Sequence, residues 1–588
     1  MIWNIQDPSE IIVESFMDEF KITQFQAKLL VNRNIKTVEE ARKFLLGDIS
    51  DLYDSSLMLD IDLAAQIIAD AVVKGELITV FGDYDTDGIT SIALSIRALE
   101  KVGANVNYYL PHRINEGYGM NKEAIKLLHE KGTKLIITVD NGISAIEEVK
   151  LAKELGMNIV VTDHHDCQPT LPAADAIVNM KRPGDPYPNK KLCGCAVIWR
   201  VLEKVYYLLP NADVDYLYDL LPIVSIGIIQ DMMDLVDENR IIVKEGLAIA
   251  NHKAIPGIAA LMEIYEISEL KASDVAFKLG PALNADGRLY TADTAIELML
   301  TEDKDLAQQH AAKLKEINDE RKALTKFHLE ETERLIKEKG FENNPFMLVL
   351  NKEIPEGIVG LIASKIKEKY QVPTFIFTES EEYFKCSGRG VDKHPFDIFT
   401  AIMSTKEYWE KGGGHGMACG LSVKKDEDHL EAFSKRLNEL TLESLNGEKF
   451  IPQLMIDAEI NYPTEDIVSE IEILEPTGKG NPAARLSTGL LDIIEAKPVG
   501  DKTHLRLKFT QMVNGEEKDI IGIAFGMTYL YQKFGAPGQL KVVYEPSINE
   551  YTSARGITYR NVQLQIQDMD AAAFSQVPLI SSLKSKTT

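Results

Sequence analysis

Three aspartates stand at alternate positions in Asp83-Tyr84-Asp85-Thr86-Asp87, with Gly88 and the pair Thr90-Ser91 just beyond them. Carboxylates this close repel one another unless a cation neutralises them. The other reading of such a motif is an exposed acidic turn that caps a helix. Downstream, Asp140-Asn141-Gly142 and Asp163-His164-His165 offer more of the same chemistry. Mixed carboxylate and imidazole donors suit Mn²⁺ or another divalent transition ion. Asp231 closes an apolar segment with helical spacing at Leu221, Val224 and Ile228. Alone it would be structural; beside the other motifs it becomes a candidate ligand.

The elements that must position these groups are short apolar runs at 77–81, 106–110, 135–139 and 159–161, alternating with helix-like segments. Runs unbroken by charge predict buried parallel strands with helices on both faces of the sheet. Three of the four lead directly into an acidic or histidine motif. In an open α/β sheet that edge is where ligands collect.

The expected fold is therefore α/β, a parallel-sheet domain followed by further domains. Residues 302–339 contain neither Pro nor Gly, which predicts one connector helix of roughly 50 Å. From about 345 to 445 a smaller α/β region carries Ser387-Gly388-Arg389 and Gly412-Gly413-Gly414-His415. Glycine amides beside an arginine suit a phosphate or a nucleic-acid strand. Strand-like runs at 490–494, 504–510, 519–524, 539–544 and 562–566, with a hairpin turn at Asn514-Gly515, predict a small barrel of the OB type. Lys502, Arg506, Lys508, Phe509 and Tyr559 are its candidate strand-binding residues, and a purely structural barrel is the alternative. The domain boundaries expected are 1–75 (helical cover for the next domain), 76–301, 302–340, 341–448, 449–568, and a flexible tail at 569–588. Within the first, Thr37 and Glu40 form a capping box.

A chain of 588 residues predicts several domains, and 45% hydrophobic with 26% charged content is ordinary for a globular protein. No apolar run is long enough to span a membrane. The first residues lack the sections of a signal peptide, so the expected compartment is the cytoplasm. Five cysteines, at 167, 193, 195, 386 and 419, are too irregular for a disulfide framework. Cys193-Gly194-Cys195 has no second pair at zinc spacing, so ordinary thiols are expected. The net charge of -26 argues against broad duplex binding and leaves room for a locally basic channel.

The ordered motifs resemble the DHH phosphoesterases, and within them the RecJ-type single-strand DNA exonucleases. They are Gly82-Asp83-Tyr84-Asp85-Thr86-Asp87-Gly88, Arg113-Ile114-Asn115-Glu116-Gly117, Val139-Asp140-Asn141-Gly142, Thr162-Asp163-His164-His165, Asn284-Ala285-Asp286-Gly287-Arg288, Ser387-Gly388-Arg389, Gly412-Gly413-Gly414-His415, and Gly478-Lys479-Gly480-Asn481-Pro482. They run from about residue 25 to 567, nearly the whole chain.

The resemblance implies removal of mononucleotides from the 5′ end of single-stranded DNA, dependent on Mn²⁺ or Mg²⁺ at a two-ion site, in recombination and repair. It implies Asp85, Asp87, Asp140, His164 and Asp231 as metal ligands, with Asp83 a further candidate. His165 would contact the scissile phosphate, and Asp163 would orient the imidazoles. Arg113, Arg288, Ser387 and Arg389 would hold the 5′ phosphate and strand, with His415 lining the same cleft. Single-stranded DNA is the implied partner of a monomeric enzyme, and single-strand-binding protein or a helicase are candidate protein partners.

Several positions depart from the family pattern. Phe81 stands where many relatives place His, and Ile354-Pro355 replaces an aromatic–His pair. Asp234 and Ala282 stand where apolar and basic residues are usual. The chain also ends soon after the barrel, without the further domain some relatives carry. Two alternatives are a DHH phosphodiesterase of short oligonucleotides or cyclic dinucleotides, and a non-catalytic single-strand-binding scaffold. The barrel region speaks against the first, and the intact acidic and histidine positions against the second.

Overall fold

Ile78–Phe81 (β1) is a run of four buried side chains, and it lies inside a five-stranded sheet whose strands are all parallel. The computed structural model describes residues 1–111, 119–391, 396–552 and 558–571, in two compact units. This sheet belongs to the unit formed by Leu52–Met233 and Glu238–Ile451.

After β1 come the helix Thr86–Lys101 (α1), then Val106–Tyr109 (β2), Leu135–Val139 (β3), Asn158–Thr162 (β4) and Ala176–Val178 (β5). The spatial order is β2-β1-β3-β4-β5. The chain therefore leaves β1 in one direction and returns on its other side at β3, which creates a crevice at their carboxyl ends. The four strands expected from sequence are all present. β2 is an edge strand and only half-buried, because no strand among the described residues pairs with its outer side. Helix α1 is buried along nearly its whole length, packed against Gly194–Leu208 (α2) and Leu221–Gln230 (α3).

A π-turn at Val275–Leu279 runs into Gly280–Leu289 (α4). The predicted long helix spans Lys304–Glu338 (α5), with Asp303 capping its first amides. It is more than a spacer. A stripe of Ala307, Ala311, Leu314, Asn318, Thr325, His328, Thr332 and Ile336 is buried, and the helix packs along α4 and along Val359–Tyr370 (α6). The second α/β layer contains Met347–Leu350 (β6), Thr374–Glu379 (β7), Tyr383–Arg389 (β8), Lys411–His415 (β9) and Ala418–Lys424 (β10), ordered β9-β10-β8-β7-β6. Only β6 and β7 are parallel; the other pairs are antiparallel. The triple glycine thus lies on an edge strand.

The other unit comprises Met1–Asp51, Asp234–Asp237 and Pro452–Thr588. Leu491–Val499 (β11), His504–Val513 (β12), Glu516–Ala524 (β13), the helix Thr528–Lys533 (α7), Gln539–Thr552 (β14) and Thr558–Asp570 (β15) form its barrel. Pairing runs β14-β11-β12-β13-β15, and β15 returns to β14, so the sheet closes on itself. The turn between β12 and β13 has Asn514 at φ 55° and Gly515 at φ 84°, the geometry that selects this residue pair.

Of the region expected as a helical cover, Ile61–Lys74 packs on the parallel sheet at β5. The N-terminal helices Glu10–Phe20, Gln24–Asn32 and Val38–Leu46 belong to the barrel unit. Their core of Val13, Phe16, Leu29, Leu30 and Phe44 is completed by Leu474 and Ala484. Arg33 reinforces this with a buried ion pair to Asp457. Phe509 is not available for stacking: it is wholly buried in the barrel core, while Arg506 and Lys508 on the same strand pair with Glu495 and Asp519. The exposed aromatics nearby are Phe525 and Tyr529. The Tyr559 side chain and the tail beyond 571 lie outside the described residues.

Candidate active site

The carboxyl ends of β1, β3 and β4 carry the three acidic motifs to one place. After β1, Asp85 is the N-cap of α1 and accepts from the Gly88 amide. The helical reading of the motif is therefore correct for Asp85, which is exposed, whereas Asp83 and Asp87 are buried. Asp87 points to the start of α2, where its carboxylate accepts from the Gly194 amide at 2.6 Å and the Cys195 amide at 3.0 Å. Amides at a helix start favour an anion there.

After β3, Asp140 adopts φ 60°, a left-handed conformation uncommon for a side-chain-bearing residue. Asn141 stabilises the turn by donating to the carbonyls of Phe81 and Val139. Gly142 follows at φ 106°, and a Cβ there would meet Thr138 Oγ1 at 2.6 Å. After β4, Asp163 is the hub. One oxygen accepts from Ile143 N, and the other from His164 N, His165 N and His165 Nδ1.

His164 Nε2 lies 3.0 Å from Asp140 Oδ1, 3.5 Å from Asp231 Oδ2 and 3.9 Å from Asp87 Oδ2. Two overlapping donor groups result: Asp87, His164 and Asp231, and Asp140, His164 and His165. Asp83 and Asp85 belong to neither group. Packing is tight around the cluster. A Cβ on Gly194 would lie 2.5 Å from Asp140 Cβ, and one on Gly227 would lie 2.9 Å from Asp87 Oδ1.

The electrostatics identify what the cluster lacks. Burial, then the charge of Asp85, pushes the Asp87 carboxyl up to about 6. Burial, then the charge of Asp87, raises Asp140 well above the usual carboxylate range. Burial, reinforced by the neighbouring His165 charge, holds His164 down at about 3, so its ring is neutral. For His165 burial opposes charging, but the hydrogen bond and charge of Asp163 prevail and raise it to about 9. Asp163 is itself lowered, because the hydrogen bond and charge of His165 outweigh its burial.

The residues fit a divalent cation. A neutral buried imidazole converges with three carboxylates, and hard oxygen donors with one nitrogen suit Mn²⁺ or Mg²⁺. The thiols of Cys193 and Cys195 are buried and raised far above their usual range, so they contribute no thiolate. Their segment matters through the amides it presents to Asp87. Sequence reading missed that role, since a backbone donor has no residue signature.

A second site opens beside Tyr84. A cavity of about 320 Å³ is lined by Tyr84, Arg288, Gly360, Lys385, Ser387 and Arg389, among others. Arg389 is held by neutral partners: Ser387 Oγ at 2.9 Å, the Gly388 carbonyl at 2.8 Å and Ser364 Oγ at 3.2 Å. Its burial lowers its pKa, and a bound anion would offset that cost. A Cβ on Gly360 would come within 2.7 Å of the guanidinium. Arg288 donates to the Gly357 carbonyl at 3.2 Å. The expected Arg288, Ser387 and Arg389 therefore meet in one pocket. Arg113 lies outside the described residues; the His415 backbone lies on β9, and its side chain is likewise outside them. Phe81, at the departing position, is fully buried and stacked on Tyr109.

Three family models match the chain: the N-terminal domain of the DHH family over residues 77–228, the DHHA1 domain over 343–443, and the RecJ OB domain over 456–568. The single-stranded-DNA-specific exonuclease RecJ of Bacillus subtilis is 32% identical over 593 residues, covering 100% of this chain and 72% of that protein. The Escherichia coli protein of the same name is 30% identical over 551 residues, 90% of this chain and 94% of its own. The fold matches the crystal structure of Thermus thermophilus RecJ in complex with Mn²⁺ at a TM-score of 0.80, with 24% identity, over 98% of this chain and 80% of that one. A structure of exonuclease RecJ bound to manganese is 30% identical, with a TM-score of 0.57, over 65% of this chain and 94% of that one.

Proposed function

This chain belongs to the RecJ family of DHH-type single-stranded-DNA-specific exonucleases, and on that premise we propose that it removes nucleotides one at a time from a 5′ end. It is a metal-dependent exonuclease of single-stranded DNA. The observation that carries the directional reading is the anion pocket of Arg288, Ser387 and Arg389, which opens beside Tyr84 of the acidic motif itself.

Asp87, Asp140, His164 and Asp231 would hold the divalent cations, with Asp83 and Asp85 as nearby carboxylates. When bound, such ions supply an activated water and neutralise the charge that develops on the phosphoryl oxygens. The chain's own residues do the rest. Arg288 and Arg389 bind the terminal phosphate through charge-assisted hydrogen bonds, and Ser387 both donates to it and orients Arg389. The His165 imidazolium, held at Nδ1 by Asp163, supports the scissile phosphate. Asp163 thereby acts as a positioning residue.

The wider assignment is a monomer working in the cytoplasm in recombination and repair, on strands supplied by a helicase or coated by single-strand-binding protein. No helix among the described residues is long and apolar enough to cross a membrane. The test is digestion of long strands labelled at either end, with Mn²⁺ and Mg²⁺ compared. Early release of the 5′ label as a mononucleotide is expected. Early release of the 3′ label, or cleavage confined to dinucleotides, would overturn the reading.

A further inference from the structure

Gln230 is the last residue of α3 and immediately precedes Asp231. Its Nε2 donates to the Val275 carbonyl at 2.9 Å. The same carbonyl accepts the Gly280 N–H across the π-turn Val275–Leu279. Such turns interrupt α-helices at functional sites more often than elsewhere. Gly280 provides the space: a Cβ there would lie 1.7 Å from Gln230 Cδ and 2.0 Å from its Nε2.

The helix that begins at this point also grips the acidic motif. Asn284 accepts from the Thr86 amide at 3.0 Å, and a Cβ on Gly287 would meet the Tyr84 carbonyl at 2.4 Å. Arg288, at its far end, lines the anion pocket. One short helix is thus tied to the motif after β1, to the pocket and, through Gln230, to the end of α3.

We propose that Gln230 is a positioning residue for the metal ligand Asp231. Helix ends fray, and here α3 ends at once: the Asp231 amide bonds to the Gly227 carbonyl, Met232 turns to φ 54°, and the Met233 amide closes the end on the Ile228 carbonyl. The amide bond to Val275 pins that final turn and so fixes the direction in which the Asp231 carboxylate faces His164. The inference rests on the reading of Asp231 as a ligand.

Mn²⁺ titration followed by electron paramagnetic resonance, in which the free ion gives the signal, tests it alongside single-turnover kinetics. Gln230→Met keeps the length of the side chain and removes the donor. It should weaken Mn²⁺ binding about tenfold, as removal of a group that orients a ligand does, and lower kcat with KM for the strand unchanged. Wild-type Mn²⁺ affinity in that variant overturns the proposal. Gly280→Ala improves helix propensity yet should cause the same loss by displacing the Gln230 amide. The double variant Gln230→Ala/Gly280→Ala should be no weaker than Gln230→Ala alone, and additive losses would refute the shared cause. Asp231→Ala separates the two levels. Wild-type Mn²⁺ affinity there would sink the ligand assignment itself, whereas loss in Asp231→Ala with none in Gln230→Met would sink only the positioning role.

Discussion

Replacing Asp140 by Asn is expected to stabilise the metal-free protein while destroying its affinity for Mn²⁺. The change is nearly isosteric, and Asn tolerates the left-handed backbone that Asp140 adopts. What it removes is a buried charge facing other buried charges. Asp87 shows the direction: burial, then the charge of Asp85, raises its carboxyl from 3.8 to about 6. Asp140 is displaced in the same direction, by burial and then by Asp87. Both groups hold protons more tightly folded than unfolded. Their destabilising effect is therefore absent well below the ordinary carboxylate pKa, grows between that value and the folded one, and is complete above it.

Denaturant unfolding of chelator-treated protein should consequently find Asp140→Asn more stable than wild type at pH 7.5. The advantage should shrink toward pH 4.5. Mn²⁺ at about a hundred times its dissociation constant should reverse the order, adding roughly 2.7 kcal/mol to the wild type alone. A variant that is less stable than wild type at pH 7.5 without metal, or a gap independent of pH, would refute the electrostatic account.

Arg389→Ala should raise KM for 5′-phosphorylated strands at least tenfold and leave 5′-hydroxyl ends unchanged, as measured on paired substrates; equal effects on both would contradict the pocket assignment. Gly194→Ala places a Cβ 2.5 Å from that of Asp140, so calorimetry should show Mn²⁺ binding lost while circular dichroism remains that of the wild type. Phe525→Ala with Tyr529→Ala, two exposed aromatics of the barrel unit, should weaken long-strand binding by at least about 30-fold, from two stacked bases at a minimum of about 1 kcal/mol each; fluorescence anisotropy would detect it.

The acidic and histidine motifs were legible because each follows an apolar run, and the runs became adjacent parallel strands with few errors in extent. The order β1-β3-β4 brings Asp87, Asp140 and His164 together, and a parallel pattern alone already implied a common edge. Burial of Phe509 was legible too, though the expectation overlooked it: Leu505, Leu507 and Phe509 alternate with Arg506 and Lys508 along β12, the parity that turns Phe509 inward. Other features had no readable signal. The helices of residues 10–46 are amphipathic in the ordinary way, and nothing in their periodicity says which distant segment completes their core; Leu474 and Ala484 do so. The Asp87 amide donors were hidden in Cys193-Gly194-Cys195, where the cysteines drew attention and the backbone acts.

These hidden features share a physical cause. Three carboxylates around a neutral imidazole are unfavourable without a cation, so the scaffold must hold them in place by other means. Apart from the Asp163–His165 pair, it does so with groups that carry no net charge: the α2 amides on Asp87, the Asn141 amide across the turn after β3, and glycines that let backbone approach within a methyl's width. Neutral supports fix geometry without neutralising the cluster, and its affinity for a divalent ion is preserved. A lysine or arginine in their place would have stabilised the metal-free state and competed with the metal. Introducing one makes this testable: Thr90→Lys, whose Oγ1 lies close to Gly227 and Asp87, should remove the stabilisation by Mn²⁺ seen in unfolding experiments. Undiminished stabilisation by Mn²⁺ in that variant would show that neutrality of the supports is incidental.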